Sequence, residues 1–308
     1  MNRLESIKEA FSSGSIDKWQ YIDRMYELHT SLFDYATFIK GKNISGIEIT
    51  DDRVVMTFRD SGIKFVCAKN DKRLAPFDSI NFGNYEAEEL YMQLQLIEDG
   101  DKVFDIGGNF GWYAMHVAFG KPKSKIYTFE PILSTFNFLN DNILLNKIGN
   151  ISTYNFGFSD SEGEFEFYFD PSLSVNASLA NVADKKNIEK TCCIVKTLDS
   201  FTKEGNYKVD FIKCDVEGAE LLVFKGGVET LKRDKPIVFT EMLRKWTAKF
   251  NYHPNDIINL FVNLNYSCFT LNQNKLIPFQ HVDESTVETN YFFLHNEKHK
   301  LQIKKHSL

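Results

Sequence analysis

The sequence predicts an α/β fold in which a parallel sheet carries helices on both faces. From residue 100 onward, short apolar runs alternate with segments of helical spacing, which is the pattern of repeated βαβ units. Some of these runs end in a glycine-rich turn or an acidic residue, at the sheet edge where open α/β folds bind ligands. The chain has 308 residues, 43% of them hydrophobic, so it can bury the core that such a sheet requires.

The chain divides into three predicted parts. Residues 1–80 form an N-terminal extension with two helices over 4–40 and a small antiparallel meander over 44–67. Residues 81–298 form the main domain, and residues 299–308 a basic tail. The predicted strands of the main domain are 102–106, 125–129, 151–157, 209–214, 236–241, 266–271 and 291–295. Its predicted helices are 81–95, 111–119, 133–146, 218–232 and 254–265.

Composition excludes several classes of protein. A net charge of −6 gives no basic face for a nucleic acid, so we expect no DNA or RNA partner. No apolar run approaches the roughly 20 residues that span a bilayer, and no signal peptide is apparent, so we expect a cytoplasmic protein without stable membrane insertion. The five cysteines lack the C-x-x-C spacing of zinc or redox sites and are expected to be reduced thiols.

The first candidate site is a glycine-rich turn after the strand at 102–106. Gly107, Gly108 and Gly111 allow the backbone to turn tightly and to approach a ligand closely. Asp105 would disfavour a bound pyrophosphate, whereas it suits S-adenosylmethionine, which has no phosphate and carries an ammonium and a sulfonium. The turn therefore favours a nucleoside cofactor of that kind, although an ordinary strand-to-helix turn has the same glycines.

The second candidate is Glu130, at the end of the next predicted strand. It follows Asp105 at close to the roughly 20-residue interval at which βαβ units place an acid against ribose hydroxyls. A solvated strand end is the alternative. Together, the two strand-end acids favour a cofactor crevice.

A third candidate is the turn Ser159-Asp160-Ser161-Glu162-Gly163, which is predicted to be a hairpin turn followed by an alternating strand over 164–168. At the strand-end crevice, Asp160 could accept a hydrogen bond from an adenine amine while the Ser159 backbone fixes the ring. An aspartate that only stabilises the turn is equally compatible with this sequence.

The fourth candidate holds three carboxylates within six positions: Asp215, Glu217 and Glu220. Asp215 and Glu217 follow a strand, and crowded carboxylates there suit a general base or, alternatively, a divalent metal. Glu220 is expected to cap a helix. Glu241 ends the next strand and joins these acids, and Lys213, Arg244 and Lys245 could neutralise them.

One long segment has no predicted element. Residues 172–190 are polar and lack a periodic pattern. A loop of this length within a compact domain is usually a lid, a binding loop or a mobile insertion, and the sequence leaves these open.

Four sequence blocks together resemble the FkbM family of methyltransferases. They are Asp105-Ile106-Gly107-Gly108-Asn109-Phe110-Gly111, Phe129-Glu130-Pro131, Ser159-Asp160-Ser161-Glu162-Gly163 and Ile212-Lys213-Cys214-Asp215-Val216-Glu217-Gly218-Ala219-Glu220. The resemblance covers about residues 80 to 295. It implies the class I (Rossmann-like) methyltransferase fold, a seven-stranded sheet with a reversed final strand. It also implies S-adenosylmethionine as cofactor and O-methylation of a sugar or related metabolite, and we assign no metal-binding residue.

The resemblance also assigns roles to individual residues. The implied cofactor-binding residues are Asp105, Gly107, Asn109, Gly111, Glu130, Ser159, Asp160 and Asp215. Among them, Asp105 and Gly107 would contact the methionine part, Glu130 the ribose and Asp160 the adenine. Asp215 and Glu217 would face the methyl group and the acceptor, and our hypothesis is that Glu217 or Asp215 is the catalytic base. Gly108 stands where the family usually has alanine.

The acceptor implied by the resemblance is a small molecule, a sugar or a nucleotide- or lipid-linked sugar. Residues 1–80 could form a homodimer or shape the acceptor pocket. Two other classes stay open: an NAD-dependent oxidoreductase, which would require G-x-G-x-x-G instead of the observed G-G-x-x-G, and a partner subunit that kept the fold without the chemistry.

Overall fold

A computed structural model describes residues 2–69, 71, 74–83, 85–169, 178–179 and 188–308. Most of the predicted loop over 172–190 lies outside the described residues, so its interpretation as a lid or binding loop stays a prediction.

The two predicted N-terminal helices are α1 (Arg3–Ser12) and α2 (Lys18–Phe38). Each begins at a capping box, in which the side chain of Asn2 or Asp17 accepts a backbone N–H of the first helical turn. Neither helix contains a buried residue. No described helix has the length and apolar character needed to cross a membrane.

The predicted meander is confirmed as an antiparallel sheet of β1 (Ile44–Ile49), β2 (Val54–Phe58) and β3 (Lys64–Cys67). Its apolar face packs on the main domain, where the rings of Phe58 and Trp112 lie 4.9 Å apart at 65°. Two helices follow, α3 (Ala75–Phe82) and α4 (Ala87–Leu96), where the sequence predicted one. Buried residues of this sheet and of the main domain belong to one hydrophobic core. The division of the chain into an extension and a main domain at residue 80 stays a prediction.

From residue 102 to residue 154 strands and helices alternate as predicted, whereas further along the chain several strands or helices follow one another directly. The remaining elements are β4 (Lys102–Ile106), α5 (Trp112–Gly120), β5 (Lys125–Phe129), α6 (Leu133–Asn146), β6 (Ile151–Tyr154), β7 (Gly157–Phe158), β8 (Gly163–Phe169), β9 (Glu189–Lys196), α7 (Leu198–Glu204), β10 (Phe211–Cys214), α8 (Glu220–Lys225), α9 (Val228–Asp234), β11 (Ile237–Glu241), α10 (Arg244–Thr247), α11 (Pro254–Asn263), β12 (Tyr266–Asn272), β13 (Lys275–Phe279), β14 (Asn290–His295) and α12 (Lys300–His306).

The central sheet has the strand order β13-β12-β14-β11-β10-β4-β5-β6. Strands β6, β5, β4, β10 and β11 are parallel, and β14 is inserted antiparallel between β11 and β12. Helices cover both faces of the sheet. Successive side chains of a strand point to opposite faces, so Val103 belongs to one hydrophobic core and Phe104 to the other. The predicted fold class, with its reversed final strand, is confirmed.

Strand β13 is an eighth strand that the sequence analysis missed. It pairs with β12 through a two-residue turn in which Gln273 and Asn274 both have positive φ, the geometry of a type I′ hairpin. Pro278 lies in this edge strand, where its missing N–H breaks no ladder bond.

Two local predictions were wrong. Residues 159–162 do not form a hairpin turn, because β7 and β8 both pair with β9, which lies between them. The predicted helix over 218–232 is two helices that meet at Gly226 and Gly227, and a Cβ at Gly226 would lie 2.1 Å from the Ser159 carbonyl oxygen. Turn-forming residues predict a reversal of the chain but not the segment that packs into it.

The residues predicted as a basic tail include helix α12. Lys298 donates through Nζ to the carbonyls of Asp234 and Lys235, at the end of α9. His299 and His306 are buried, so side chains of this segment pack against the domain.

Candidate functional site

A cavity opens at the carboxyl ends of β4, β5 and β10, where the order of the sheet reverses on either side of β4. It encloses about 850 Å³ of space, part of it open to solvent. Its charged and amide side chains are Glu86, Asn109, Glu130, Lys213, Asp215 and Glu217. Its aromatic side chains are Tyr85, Phe110, Trp112, Tyr113, Phe129, Phe158 and Phe167.

The glycine-rich turn forms one wall of this cavity. Gly107 has φ +76°, and a Cβ there would lie 1.9 Å from the carbonyl oxygen of Asp215. Glycine is therefore required because the backbone after β10 lies against the turn. The close approach that the sequence suggested is made to the protein itself.

Gly108 is required for a different reason. A Cβ at this position would lie 2.0 Å from Thr128 Oγ1, and that hydroxyl donates a hydrogen bond of 3.1 Å to Asp105 Oδ2. An alanine, usual here in the family that the sequence resembles, does not fit beside this threonine.

We expect Gly108→Ala to lower the free energy of unfolding by about 1–3 kcal/mol, the usual cost of overpacking. Thr128→Ala removes the clashing oxygen, so the double variant should lose less than the sum of the two single losses. Urea unfolding of all four proteins measures this coupling. Additive losses would show that the hydroxyl of Thr128 does not oppose the new methyl group.

Asp105 lies beneath the turn and does not line the cavity. Its side chain is 2% exposed, and its Oδ1 is 3.4 Å from Nζ of Lys213. Lys213 Nζ also donates a hydrogen bond of 2.6 Å to the Gly107 carbonyl, and it lies 3.6 Å from Asp215 Oδ2. Burial raises the pKa of Asp105, and the Lys213 ammonium opposes that rise. Burial lowers the pKa of Lys213, but the two aspartates outweigh it and raise the pKa overall.

Glu130 joins the turn to the end of β5. Its two carboxylate oxygens accept the backbone N–H groups of Asn109 and Ile132, each at 3.0 Å. The side chain is 5% exposed and lines the cavity, and burial raises its pKa to about 7. The structure thus brings this sequence-predicted residue into the same cavity as Asp215 and Glu217.

Asp215 and Glu217 line the wall of the cavity beside the glycine-rich turn. The Asp215 N–H donates to the Ile106 carbonyl at 3.0 Å, which fixes this loop to the end of β4. Glu217 has φ +56°, uncommon for a residue with a side chain, and its carbonyl accepts a hydrogen bond from Ser178 Oγ at 2.8 Å. Strained backbone of this kind is found where a side chain is held for function.

Glu220 lies behind this wall and supports it. Its Oε1 accepts the N–H groups of Val216 and Gly218 at 3.0 Å, and Tyr252 OH donates to its Oε2 at 3.2 Å. Burial raises the pKa of Glu220 to about 7. Glu220 is the first residue of α8, and these N–H groups belong to the turn before the helix, so its side chain holds that turn and does not form the predicted helix cap.

The raised pKa of Glu220 predicts a pH dependence of stability. The folded protein keeps this proton up to about pH 7, whereas the unfolded chain loses it near 4.5. The folded state therefore binds more protons across this window, and the free energy of unfolding should fall as pH rises, by at most about 3 kcal/mol for one group. Glu220→Gln keeps the acceptor oxygen, so it should flatten this decline in urea unfolding measured from pH 4.5 to 7. An unchanged slope would exclude Glu220 as its source.

Some predicted site residues do not reach the cavity. Ser159 is buried elsewhere, Asp160 is exposed, and neither lines it, whereas the adjacent Gly157 and Phe158 do. Gly111 caps helix α5 with φ +95° and does not line it either. Cofactor contacts of these residues stay predictions.

Several residues that line the cavity were not predicted from the sequence. Tyr85 and Glu86 come from the turn before α4, and Trp112 and Tyr113, which also belong to the hydrophobic core, come from the first turn of α5. Burial raises the pKa of Glu86 to about 7. Glu241 lies near these acids: burial, followed by Asp215, Glu217, Glu220 and Glu86, raises its pKa to about 10.

No group of three or more His, Cys, Asp or Glu side chains suited to a metal ion occurs in the described ranges.

The strand order, the antiparallel β14 and the position of the cavity define a class I methyltransferase fold. Residues 105–268, more than half of the chain, match the model of the methyltransferase FkbM domain. The chain belongs to the FkbM methyltransferase family.

Curated relatives match over part of their length. Methyltransferase 1 of Beauveria bassiana is 29% identical over 147 residues, covering 42% of this chain and 59% of that protein. Hexuronic acid methyltransferase AglP of Haloferax volcanii is 30% identical over 150 residues, covering 48% and 58%. The chain thus spans less than two thirds of these relatives. The crystal structure of methyltransferase FkbM from Methylobacillus flagellatus aligns with a TM-score of 0.44 and 16% identity, covering 67% of this chain and 47% of that one.

Proposed function

We propose that this protein transfers a methyl group from S-adenosylmethionine to a hydroxyl of a sugar or sugar-containing small molecule. The observation that carries the proposal is the cavity itself. It brings Glu130 from the end of β5 and Asp215 and Glu217 from the end of β10 to the two sides of the glycine-rich turn. Family membership supports methyl transfer as the reaction.

The residues at the turn fit a nucleoside cofactor. A carboxylate has about four acceptor positions, so Glu130 can bind ribose hydroxyls while it accepts two N–H groups. Within the described residues, Asn109 Oδ1 is buried without a hydrogen-bond partner, which leaves an acceptor for a ligand. Gly157, Phe158 and Phe129 add an apolar wall that suits adenine. Asp105 and Lys213 would act indirectly, by holding Gly107 and Asp215.

Bound S-adenosylmethionine supplies a methyl group on a positively charged sulfur. The chain's own contribution is to hold an acceptor hydroxyl in line and to take its proton. Glu217 and Asp215 are the carboxylates placed for that proton, since they line the cavity beside the turn. A sugar acceptor is supported by the name of the relative AglP, a hexuronic acid methyltransferase.

Calorimetric titration with S-adenosylhomocysteine tests the cofactor assignment, with NAD as a second ligand. We expect binding of S-adenosylhomocysteine alone, and at least tenfold weaker binding to Glu130→Ala. Glu164→Gln, an exposed glutamate on β8, is the matched control and should bind like the parent. Binding of NAD, or of neither ligand, would contradict the proposal.

A further inference from the structure

One wall of the cavity comes from outside the residues that match the family model. Tyr85 and Glu86 precede residue 105, where that match begins, yet both line the cavity beside Asp215 and Glu217. Glu86 has φ +44° and no side-chain hydrogen bond to the helix that it begins. A strained backbone that aims a carboxylate into a cavity suggests a role in binding.

The hydroxyl of Tyr113, a side chain that is 7% exposed, lies against the Glu86 carboxylate. Trp112 Nε1, on a side chain that is 5% exposed, is a buried hydrogen-bond donor with no partner among the described residues. Asp215 Oδ1 is a buried acceptor in the same condition. Buried polar groups are nearly always hydrogen-bonded, so a ligand with both hydroxyl donors and acceptors would complete this wall.

The same wall has an apolar surface. The ring of Tyr85 meets that of Trp112 edge-on, with centroids 5.3 Å apart at 90°. Aromatic surface with a few converging polar groups suits a ring that has C–H faces and hydroxyl edges, as a sugar has.

The charge of the wall restricts which sugar fits. Glu86, Asp215 and Glu217 line it, and the one cation among the described lining residues is Lys213. Lys213 is already engaged with Gly107, Asp105 and Asp215. An anionic acceptor would therefore face these carboxylates, and among the described lining residues no cation remains unengaged to pair with it. Like charges repel strongly where water is excluded.

We propose that Glu86 is a specificity-determining residue that binds hydroxyls of an uncharged sugar acceptor, and that this wall rejects the corresponding uronic acid. The inference rests on the proposed function and specifies its substrate class. Glu86 is assigned to the acceptor, and the cofactor is held by the turn and Glu130.

Methyl transfer from labelled S-adenosylmethionine to paired acceptors tests the inference. The probes are methyl glycosides of glucose, galactose and mannose, each beside its uronic acid counterpart. We expect transfer to an uncharged member and at least tenfold lower kcat/KM for its uronic partner. In Glu86→Gln the KM for the uncharged glycoside should rise about tenfold, as for loss of a hydrogen bond to a charged group. Its affinity for S-adenosylhomocysteine should stay within about twofold.

Glu88→Gln is the matched control, because Glu88 is an exposed neighbour on α4. It should leave every parameter unchanged. A tenfold loss of S-adenosylhomocysteine affinity in Glu86→Gln would overturn the inference by assigning Glu86 to the cofactor. An unchanged KM in that variant, equal or better transfer to the uronic acids, or no transfer to any probe would also overturn it. A parent that fails to bind S-adenosylhomocysteine overturns the proposed function and this inference together.

Discussion

Glu217→Gln is expected to lower the turnover number for methyl transfer by about 10²- to 10⁴-fold, the usual contribution of a positioned acid or base. Glutamine keeps the shape of the side chain and tolerates the same φ of +56°, so the cavity should keep its form. What the variant loses is the ability to take a proton from an acceptor hydroxyl. Affinity for S-adenosylhomocysteine should therefore change little, since the turn and Glu130 hold the cofactor in the proposed site.

Single-turnover rates and calorimetry, measured on the same preparations, separate these two effects. Glu164→Gln serves again as the control for a surface glutamate. If Glu217→Gln keeps the parental rate, Glu217 is not the base, and Asp215→Asn becomes the next variant to measure. Equal losses of rate and of cofactor affinity would instead assign Glu217 to cofactor binding.

The second large effect is expected from Lys213→Met, which should lower the free energy of unfolding by about 3–5 kcal/mol. Lys213 is 4% exposed and connects three groups: the carbonyl of Gly107 and the carboxylates of Asp105 and Asp215. Without the ammonium, a buried carboxylate and a buried carbonyl both lose their partner. Methionine fills similar space, so lost packing contributes little.

The charge interaction can be isolated with a double-variant cycle. Asp105→Asn keeps an acceptor for the Thr128 hydroxyl and removes the buried negative charge. Lys213→Met combined with Asp105→Asn should therefore be more stable in urea than Lys213→Met alone. A loss below about 1 kcal/mol in Lys213→Met, or no recovery in the double variant, would contradict the view that this pair holds the turn.

The sequence predicted the sheet well because its strands are short apolar runs with clear ends. The predicted ranges 102–106 and 125–129 coincide with β4 and β5. Strand β13 was missed because Lys275–Phe279 is short and contains a proline, and because its turn depends on two residues that only the structure shows at positive φ. The split of the predicted helix over 218–232 depends on the carbonyl of Ser159, far away in the sequence.

The candidate site was predicted in part. Glu130 and Asp215 follow the last residues of their strands, so their side chains reach the sheet edge as expected. Asp105 lies within β4, and its side chain follows the strand alternation into the interior, beneath the turn. Glu86 and Tyr113 enter the cavity from helix starts, and no local pattern distinguishes them from surface or core residues.

The direct contact between the turn at Gly107 and the loop at Asp215 has a consequence for protein engineering. The Asp215 carbonyl occupies the space of a Cβ at position 107, the Asp215 N–H bonds to Ile106, and Lys213 bonds to Gly107. A chimera that takes only residues 215–220 from a relative would place a foreign backbone against this turn. Residues 105–109, Thr128 and residues 213–220 should therefore be exchanged together. The two loops can be replaced only as a pair, because each is fitted to the backbone of the other.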